Sequence, residues 1–283
     1  MNACPVCLSA PLRPLRVGPW REQGVTYSLA GCPACGCAVS WPIPSAEVLS
    51  RHYRESFNYA WYRDHLPAKY VDAKRRLLEL KPWLGQRILD FGGGLGYLSQ
   101  AARKLGHDSM TVDPYQGLES AGEGGWDTVF ALHVLEHVPA PETTLAQMRG
   151  LLKPGGTMVL AVPNAQGAGY RRIGTNWPWF QAPITHIFHF TPQALARLVA
   201  RSGFELLGLS FHDRWDANTV ADIDRAAETR RLDAAWHETE DPAARKDLAW
   251  RTLRRRYRAL AACPDPAQDN ADLAEILVVA RKV

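Results

Sequence analysis

Four cysteines arrive as two C-x2-C pairs, Cys4 with Cys7 and Cys32 with Cys35, each inside a proline-containing turn, C-P-V-C and C-P-A-C-G. Such turns aim two thiolates at one point, and two of them supply the four tetrahedral ligands of a Zn²⁺ ion. Four cysteine ligands leave no open position for water or substrate, so such an ion would be structural. The 24 residues between Cys7 and Cys32 suit a ribbon of short strands, Val25–Leu29 among them. Disulfides and a mononuclear iron site are the alternative uses. The N-terminus MNACPVCLSA carries no signal-like apolar run, which points to a reducing, cytoplasmic setting and away from disulfides. Cys37 is a spare ligand, and Cys263 stands alone.

A second constellation is the run L-D-F-G-G-G-L-G at 89–96. It reads as a strand that ends at Asp90-Phe91, turns through Gly92, Gly94 and Gly96, and opens a helix. Glycines there allow a sharp turn and close approach of a ligand to the backbone, and the helix N-terminus beyond offers free N–H groups. The next strand, SMTVD, ends in Asp113, 23 positions after Asp90. In nucleotide-binding α/β folds an acid at that place accepts hydrogen bonds from two ribose hydroxyls. The dehydrogenase register G-x-G-x-x-G is not met, because position 97 is Tyr.

The elements that must position these groups follow from periodicity. The chain of 283 residues is 46% apolar and 22% charged, which excludes disordered, collagenous and coiled-coil classes. No run nears the ~18 apolar residues of a membrane span. The net charge of +4 suits an anionic small molecule and does not call for nucleic acid. Trp41-Pro-Ile-Pro44 reads as the end of the ribbon, and 45–81 as helical, with Tyr70, Ala73, Leu77 and Leu80 on one face. The aromatic run Tyr53–Tyr62 could line a ligand or pack on the next domain. From Arg87 strands and helices alternate: RILDF, then a helix with Leu98, Ala101, Ala102 and Leu105, SMTVD, WDTVFALHVL, a helix opened by Pro139–Pro141, TMVLAVP, a helix from Thr191-Pro192, FELLGLS, and finally AEILVVAR. This predicts a parallel, doubly wound α/β sheet. Three regions are expected: a ribbon over 1–44, a helical linker and cap over 45–86, and an α/β domain over 87–283 with a helical insertion at 212–270. In the insertion Trp250, Leu253, Tyr257 and Leu260 form a stripe, and Arg251, Arg254, Arg255 and Arg258 lie largely off it.

The ordered motifs of 87–281 resemble the class I S-adenosylmethionine (SAM)-dependent methyltransferases. LDFGGGLGY resembles their first motif and VDP at 112–114 their second. WDTVFALHVLEHVPAP resembles the strand-four motif of the "vleHv" subgroup, LLKPGGTMVLAVPN the approach to strand five, and HIFHFTPQALARLVARSGFELL the later "HxxHFT" segment. The resemblance implies a Rossmann-like methyltransferase sheet, SAM as cofactor, and binding of SAM by Asp90, Gly92, Gly94, Gly96, Asp113, Leu132 and His133. With the cysteine ribbon, the chain is also similar to sugar C-methyltransferases, though it is shorter. The family often places an acid after a third strand; no clear strand lies in 114–125, where Glu119 and Glu123 are the available acids.

An oxygen or carbon acceptor must lose a proton, and His133, His137, His186 and His189 are the candidate bases. His186 and His189 fall where this fold builds its acceptor pocket and are the expected catalytic pair. A metal site is the other use of H-x2-H, with no third ligand evident in the sequence. The loop before them carries Trp177, Trp179 and Phe180 as an aromatic wall, with Arg171 and Arg172 placed to meet an acidic group. The expected partner is a small-molecule acceptor, a sugar or secondary-metabolite intermediate. A zinc-ribbon RNA methyltransferase and a non-catalytic SAM-binding scaffold are the other classes.

Overall fold

The computed structural model describes residues 3–22, 24–56, 66–113, 121–122, 124–174, 180, 184–212 and 275–283, with single positions at 241 and 244. The aromatic run beyond residue 56, Glu119, Glu123, Trp177, Trp179, Cys263 and the helical stripe at 250–260 lie outside these residues.

The chain opens with four short strands, β1 (Arg13–Pro14), β2 (Trp20–Glu22), β3 (Val25–Gly31) and β4 (Ala38–Trp41). Two helices follow, α1 (Ala46–Ser56) and α2 (Leu66–Glu79). Then come β5 (Arg87–Phe91), α3 (Tyr97–Lys104), β6 (Asp108–Val112), β7 (Trp126–Leu132), a 3-10 turn (Leu135–His137), α4 (Pro141–Leu151) and β8 (Leu152–Pro163). The remainder is α5 (Ala168–Ile173), β9 (Phe188–His189), α6 (Pro192–Arg201), β10 (Phe204–His212) and β11 (Glu275–Lys282). Thr191 caps α6, its hydroxyl accepting from the Ala194 N–H, with proline in the first turn where its missing N–H is not needed.

The large sheet has the order β10-β11-β8-β7-β5-β6. β6, β5, β7 and β8 pair in parallel, whereas β11 runs antiparallel to both β8 and β10. The expectation of a wholly parallel sheet therefore fails at its last strand. His212 at the end of β10 pairs with Glu275 at the start of β11, so the chain leaves and re-enters at the same end of the sheet, and only an antiparallel return is possible.

Side chains on these strands alternate between two cores. Ile88, Phe130, Val159, Ala161, Leu277 and Val279 meet Ala73, Leu77, Leu98 and Ala101 of α2 and α3 on one face. Leu89, Phe91, Val129, Ala131, Leu160, Ile276 and Val278 meet Leu145, Met148, Leu195 and Leu198 of α4 and α6 on the other. The period of two, with both faces covered, explains why these strands read as continuous apolar runs.

The ribbon forms a second, antiparallel sheet in the order β1-β3-β4-β9, with β2 on β3. Its last strand comes from the α/β region: Ala38 pairs with His189 and Val39 with Phe188. Arg201 donates to the carbonyls of Val6 and Pro5 at 2.6 and 2.9 Å, and the Thr191 hydroxyl donates to Cys35 O at 2.6 Å. Among the described residues no helix is long and apolar enough to cross a membrane.

Candidate functional site

The carboxyl ends of the parallel strands gather one set of groups. Gly92, Gly94 and Gly96 leave β5 with φ of +70°, +55° and +73°, the left-handed region that favours glycine. The Gly92 N–H donates to Val112 O at 2.7 Å, which ties the loop to the end of β6 and so to Asp113, the next residue. A Cβ at Gly92 would stand 2.6 Å from the Val134 side chain, and one at Gly93 would meet Asp90 Oδ2 at 2.0 Å. Above Gly94 there is nothing within 4 Å. Gly96, itself left-handed, caps α3 without a side-chain hydrogen bond, so the first turn of that helix directs N–H groups outward. This is a backbone cradle a side chain would fill, and it fits the methionyl end of SAM.

Asp90 lies buried under the loop, with the Thr111 hydroxyl 3.3 Å from Oδ2. Burial pushes its carboxyl up to about 7, against the pull of Thr111 and the Ser99 N–H. The Thr111 hydroxyl also lies 2.8 Å from Ser99 Oγ, fixing the strand, loop and helix to one another.

Leu132 ends β7, and His133 follows with φ +56°, a left-handed conformation rare outside glycine. Its ring is held between two acids: Nε2 lies 2.7 Å from Glu275 Oε2 and Nδ1 lies 3.2 Å from Glu136 Oε1. Both acids are buried, and Glu275 also pairs with Arg76 at 2.8 Å, whose Nε reaches Asp72 at 3.0 Å. Burial opposes ionisation of Glu136, but its bond to His133 and the nearby His137 hold it at about 2. A carboxylate in so buried a place is tolerated only when paired.

The 3-10 turn brings Glu136 and His137 against the later histidine segment. Glu136, His137 and His186 each place a ligand atom within 4.8 Å of the others, and the His137 and His186 rings meet edge to face at 4.7 Å. His137 Nδ1 bonds the Thr185 carbonyl. Glu136 Oε2 is buried without a partner among the described residues. The fold thus brings Glu136 and His137 beside His186, groups a cation or an acceptor hydroxyl could meet and which the H-x2-H spacing did not reveal. His189, in β9, has its ring 6.5 Å from that of His186 and stacks on Phe180 at 4.6 Å and 16°. Burial drives its imidazole down to about 4, with Glu136 opposing. Arg171 reaches the Gln166 carbonyl at 2.6 Å.

Sequence reasoning missed Glu136, Glu275 and Arg76. The signals were present but weak: an acid inside HVLEHV, an acid heading an apolar strand, and an arginine between Ala73 and Leu77 of an apolar stripe.

In the ribbon, Cys4, Cys7, Cys32 and Cys35 converge, with all four sulfurs within 4.8 Å of one another. Cys4 Sγ lies 3.9 Å from Cys35 Sγ, and Cys7 Sγ 3.5 Å from Cys32 Sγ. The thiols are free, and these separations bracket the ~3.8 Å edge of a tetrahedron with ~2.3 Å metal–sulfur bonds. Both turns close alike: Leu8 N–H donates to Cys4 O and Gly36 N–H to Cys32 O, each at 2.9 Å, with Leu8 and Gly36 both left-handed. A bond from the Cys35 thiol lowers Cys4 to about 5 and raises Cys35, so the pair shares a proton. Such a donor set fits Zn²⁺. Cys37 is buried but not a member of the group.

A parallel-rich sheet with a glycine cradle, an acid beyond the next strand and an antiparallel final strand defines the Rossmann-like methyltransferase class. Residues 62–209, just over half of the chain, match the family model for a methyltransferase domain, and the chain belongs to that family. It is a SAM-dependent methyltransferase. The ubiquinone biosynthesis O-methyltransferase of Maricaulis maris is 29% identical over 212 residues, covering 63% of this chain and 82% of that protein. The enzyme of the same name from Cereibacter sphaeroides is 27% identical over 198 residues, covering 59% and 78%. Among solved structures, the 1,6-didemethyltoxoflavin-N1-methyltransferase of Burkholderia thailandensis, with 1,6-didemethyltoxoflavin and S-adenosylhomocysteine bound, matches with a TM-score of 0.50 at 17% identity. The match covers 96% of this chain and 99% of that one, and it shows the fold.

Proposed function

We propose that this methyltransferase acts on an oxygen or carbon of a small-molecule acceptor, with Zn²⁺ held structurally by Cys4, Cys7, Cys32 and Cys35. The observation that carries the reading is the cluster of buried Glu136 and His186 with half-buried His137, at the same sheet end as the glycine cradle. The names of the Maricaulis and Cereibacter relatives, O-methyltransferases of ubiquinone biosynthesis, support a small organic acceptor. The free thiols fit a cytoplasmic protein.

When bound, SAM supplies a methyl on a sulfonium for in-line transfer to a nucleophile. Asp113 accepts from the two ribose hydroxyls. The Gly92–Gly96 backbone carries the methionyl end, and Asp90 beneath it anchors the loop. Leu132 and His133 border the adenine. Of the two expected catalytic histidines, His186 is the better base. A group at about 4, as His189 is, holds a proton at pH 7 in only ~1 of 10³ molecules. His186, beside an ionised Glu136, has a partner that steadies the imidazolium formed when it takes the acceptor's proton. Alignment of acceptor and donor contributes most, up to ~7–11 kcal/mol in favourable systems. The regions 1–44, 45–86 and 87–283 are read as ribbon, helical cap and catalytic domain, with a sugar or secondary-metabolite intermediate as acceptor.

The test is incubation with methyl-tritiated SAM and a metabolite extract, alongside total RNA. Label is expected in the small-molecule fraction. Label in RNA, or none above that of a His186→Ala control, contradicts the proposal.

A further inference from the structure

The peptide after His186 is gripped from two sides. On the α/β side the Ile187 N–H donates to Glu136 O at 2.8 Å. On the ribbon side the Ser40 N–H donates to Ile187 O at 2.9 Å, and the Ser40 hydroxyl reaches His186 O at 3.5 Å. Ser40 is fully buried in β4, the strand that pairs with β9 through Ala38–His189 and Val39–Phe188. The acceptor-side histidines therefore sit on the seam between the two sheets.

A second ribbon contact points the same way. Trp20 of β2 lies 6.0 Å from the Phe180 ring, and Phe180, packed on Leu29 of β3, stacks in turn on His189 and on Tyr170. By contrast, none of the hydrogen bonds described for Gly92–Gly96 comes from the ribbon; they come from β6, α3 and the loop itself.

We propose that the cysteine ribbon is part of the acceptor side of the enzyme, with Ser40 as the positioning residue for His186 and Trp20 as the positioning residue for Phe180 and His189. In this arrangement the ribbon holds the imidazoles in register with Glu136 and His137 while leaving the SAM cradle untouched. A strand pair is suited to this, since a shift of one residue would turn every side chain of β9 to the opposite face. The inference rests on the reading of His186 as an acceptor-side residue. Its test reads the geometry of the ring and not turnover, so the two can fail separately.

The experiment uses the full chain with ¹³Cε1-labelled histidine, and follows the ring signals of wild type, Ser40→Ala, Ser40→Pro and Trp20→Ala. His186→Gln and His189→Gln assign the two signals. S-adenosylhomocysteine affinity is measured on the same samples by calorimetry. The Ser40 variants are expected to move the His186 signal beyond its linewidth, and Trp20→Ala to move that of His189. Affinity for S-adenosylhomocysteine should stay within about twofold, as for sites that share no partner. Unmoved histidine signals overturn the proposal. A fall in S-adenosylhomocysteine affinity that parallels the signal changes also overturns it, because the ribbon would then be a general support. Should Ser40→Pro fail to fold, Ser40→Ala and Trp20→Ala decide by the same criteria. A loss of His186→Ala turnover alongside unmoved signals would retain His186 as base and discard the ribbon's role.

Discussion

Between Asp90 and Asp113, every group assigned to SAM apart from Leu132 and His133 comes from one strand–loop–helix–strand unit, tied by Gly92 N–H to Val112 O and by Thr111 to Asp90. His186 depends on segments far apart in the chain: Ser40 of β4, which holds the peptide after it, and Glu136 and His137 of the 3-10 turn. The donor side is local and made largely of backbone. The acceptor side is assembled by tertiary contacts and made of buried side chains. A local site survives sequence change around it, whereas an assembled one transmits any change in its supports.

The sharpest separation of the two sides is His186→Ala. Turnover on the labelled acceptor is expected to fall ~10²–10⁴-fold, with S-adenosylhomocysteine affinity unchanged. If affinity falls in step with turnover, the two sides are one site and the comparison breaks.

The buried side-chain network around His133 should also be more fragile in folding than the backbone-built glycine loop. Arg76 is buried and donates through Nη2 to Glu275 Oε2 at 2.8 Å, the same oxygen that lies 2.7 Å from His133 Nε2. Arg76→Met strands a buried carboxylate, and denaturant unfolding should show a loss of about 3–5 kcal/mol. A double variant that also carries Glu275→Met should recover part of it; no recovery would mean the pair is not what Arg76 supports.

Acid should act at the seam as well. The His189 imidazole titrates near 4 in the folded chain against 6.5 for the free group, so between pH 6.5 and 4 the unfolded chain takes up the proton and the folded one does not. Stability from this residue is intact above pH 6.5 and falls by roughly 3 kcal/mol as the pH drops to 4. His189→Phe, which keeps the stack on Phe180, should flatten that part of the pH dependence of unfolding. An unchanged slope would place the titrating group elsewhere.

What could be read from the sequence follows the same division. The glycine loop and the cysteine turns are signalled by residue types a few positions apart, and Asp113 by its place at the end of the next strand. The cap of α6 was equally plain in Thr191-Pro192. Nothing local announces that Ser40 grips Ile187, that β9 completes the ribbon sheet, or that Glu136 and Glu275 bracket one histidine. Those depend on which strands become neighbours. The antiparallel course of β11 was hidden for the same reason, since an apolar strand reads alike in either direction.

The smallest expected effect bears most directly on the SAM site itself. Asp113 stands one residue beyond β6, beside the glycine cradle. Calorimetric titration of S-adenosylhomocysteine into wild type and Asp113→Ala compares a ribose with and without its acceptor. The variant is expected to lose about 1.5–3 kcal/mol of binding free energy, because a charge-assisted pair of hydrogen bonds is lost at this half-buried position. Equal affinity in the two proteins would contradict the placement of SAM along the Gly92–Gly96 loop with its ribose on Asp113.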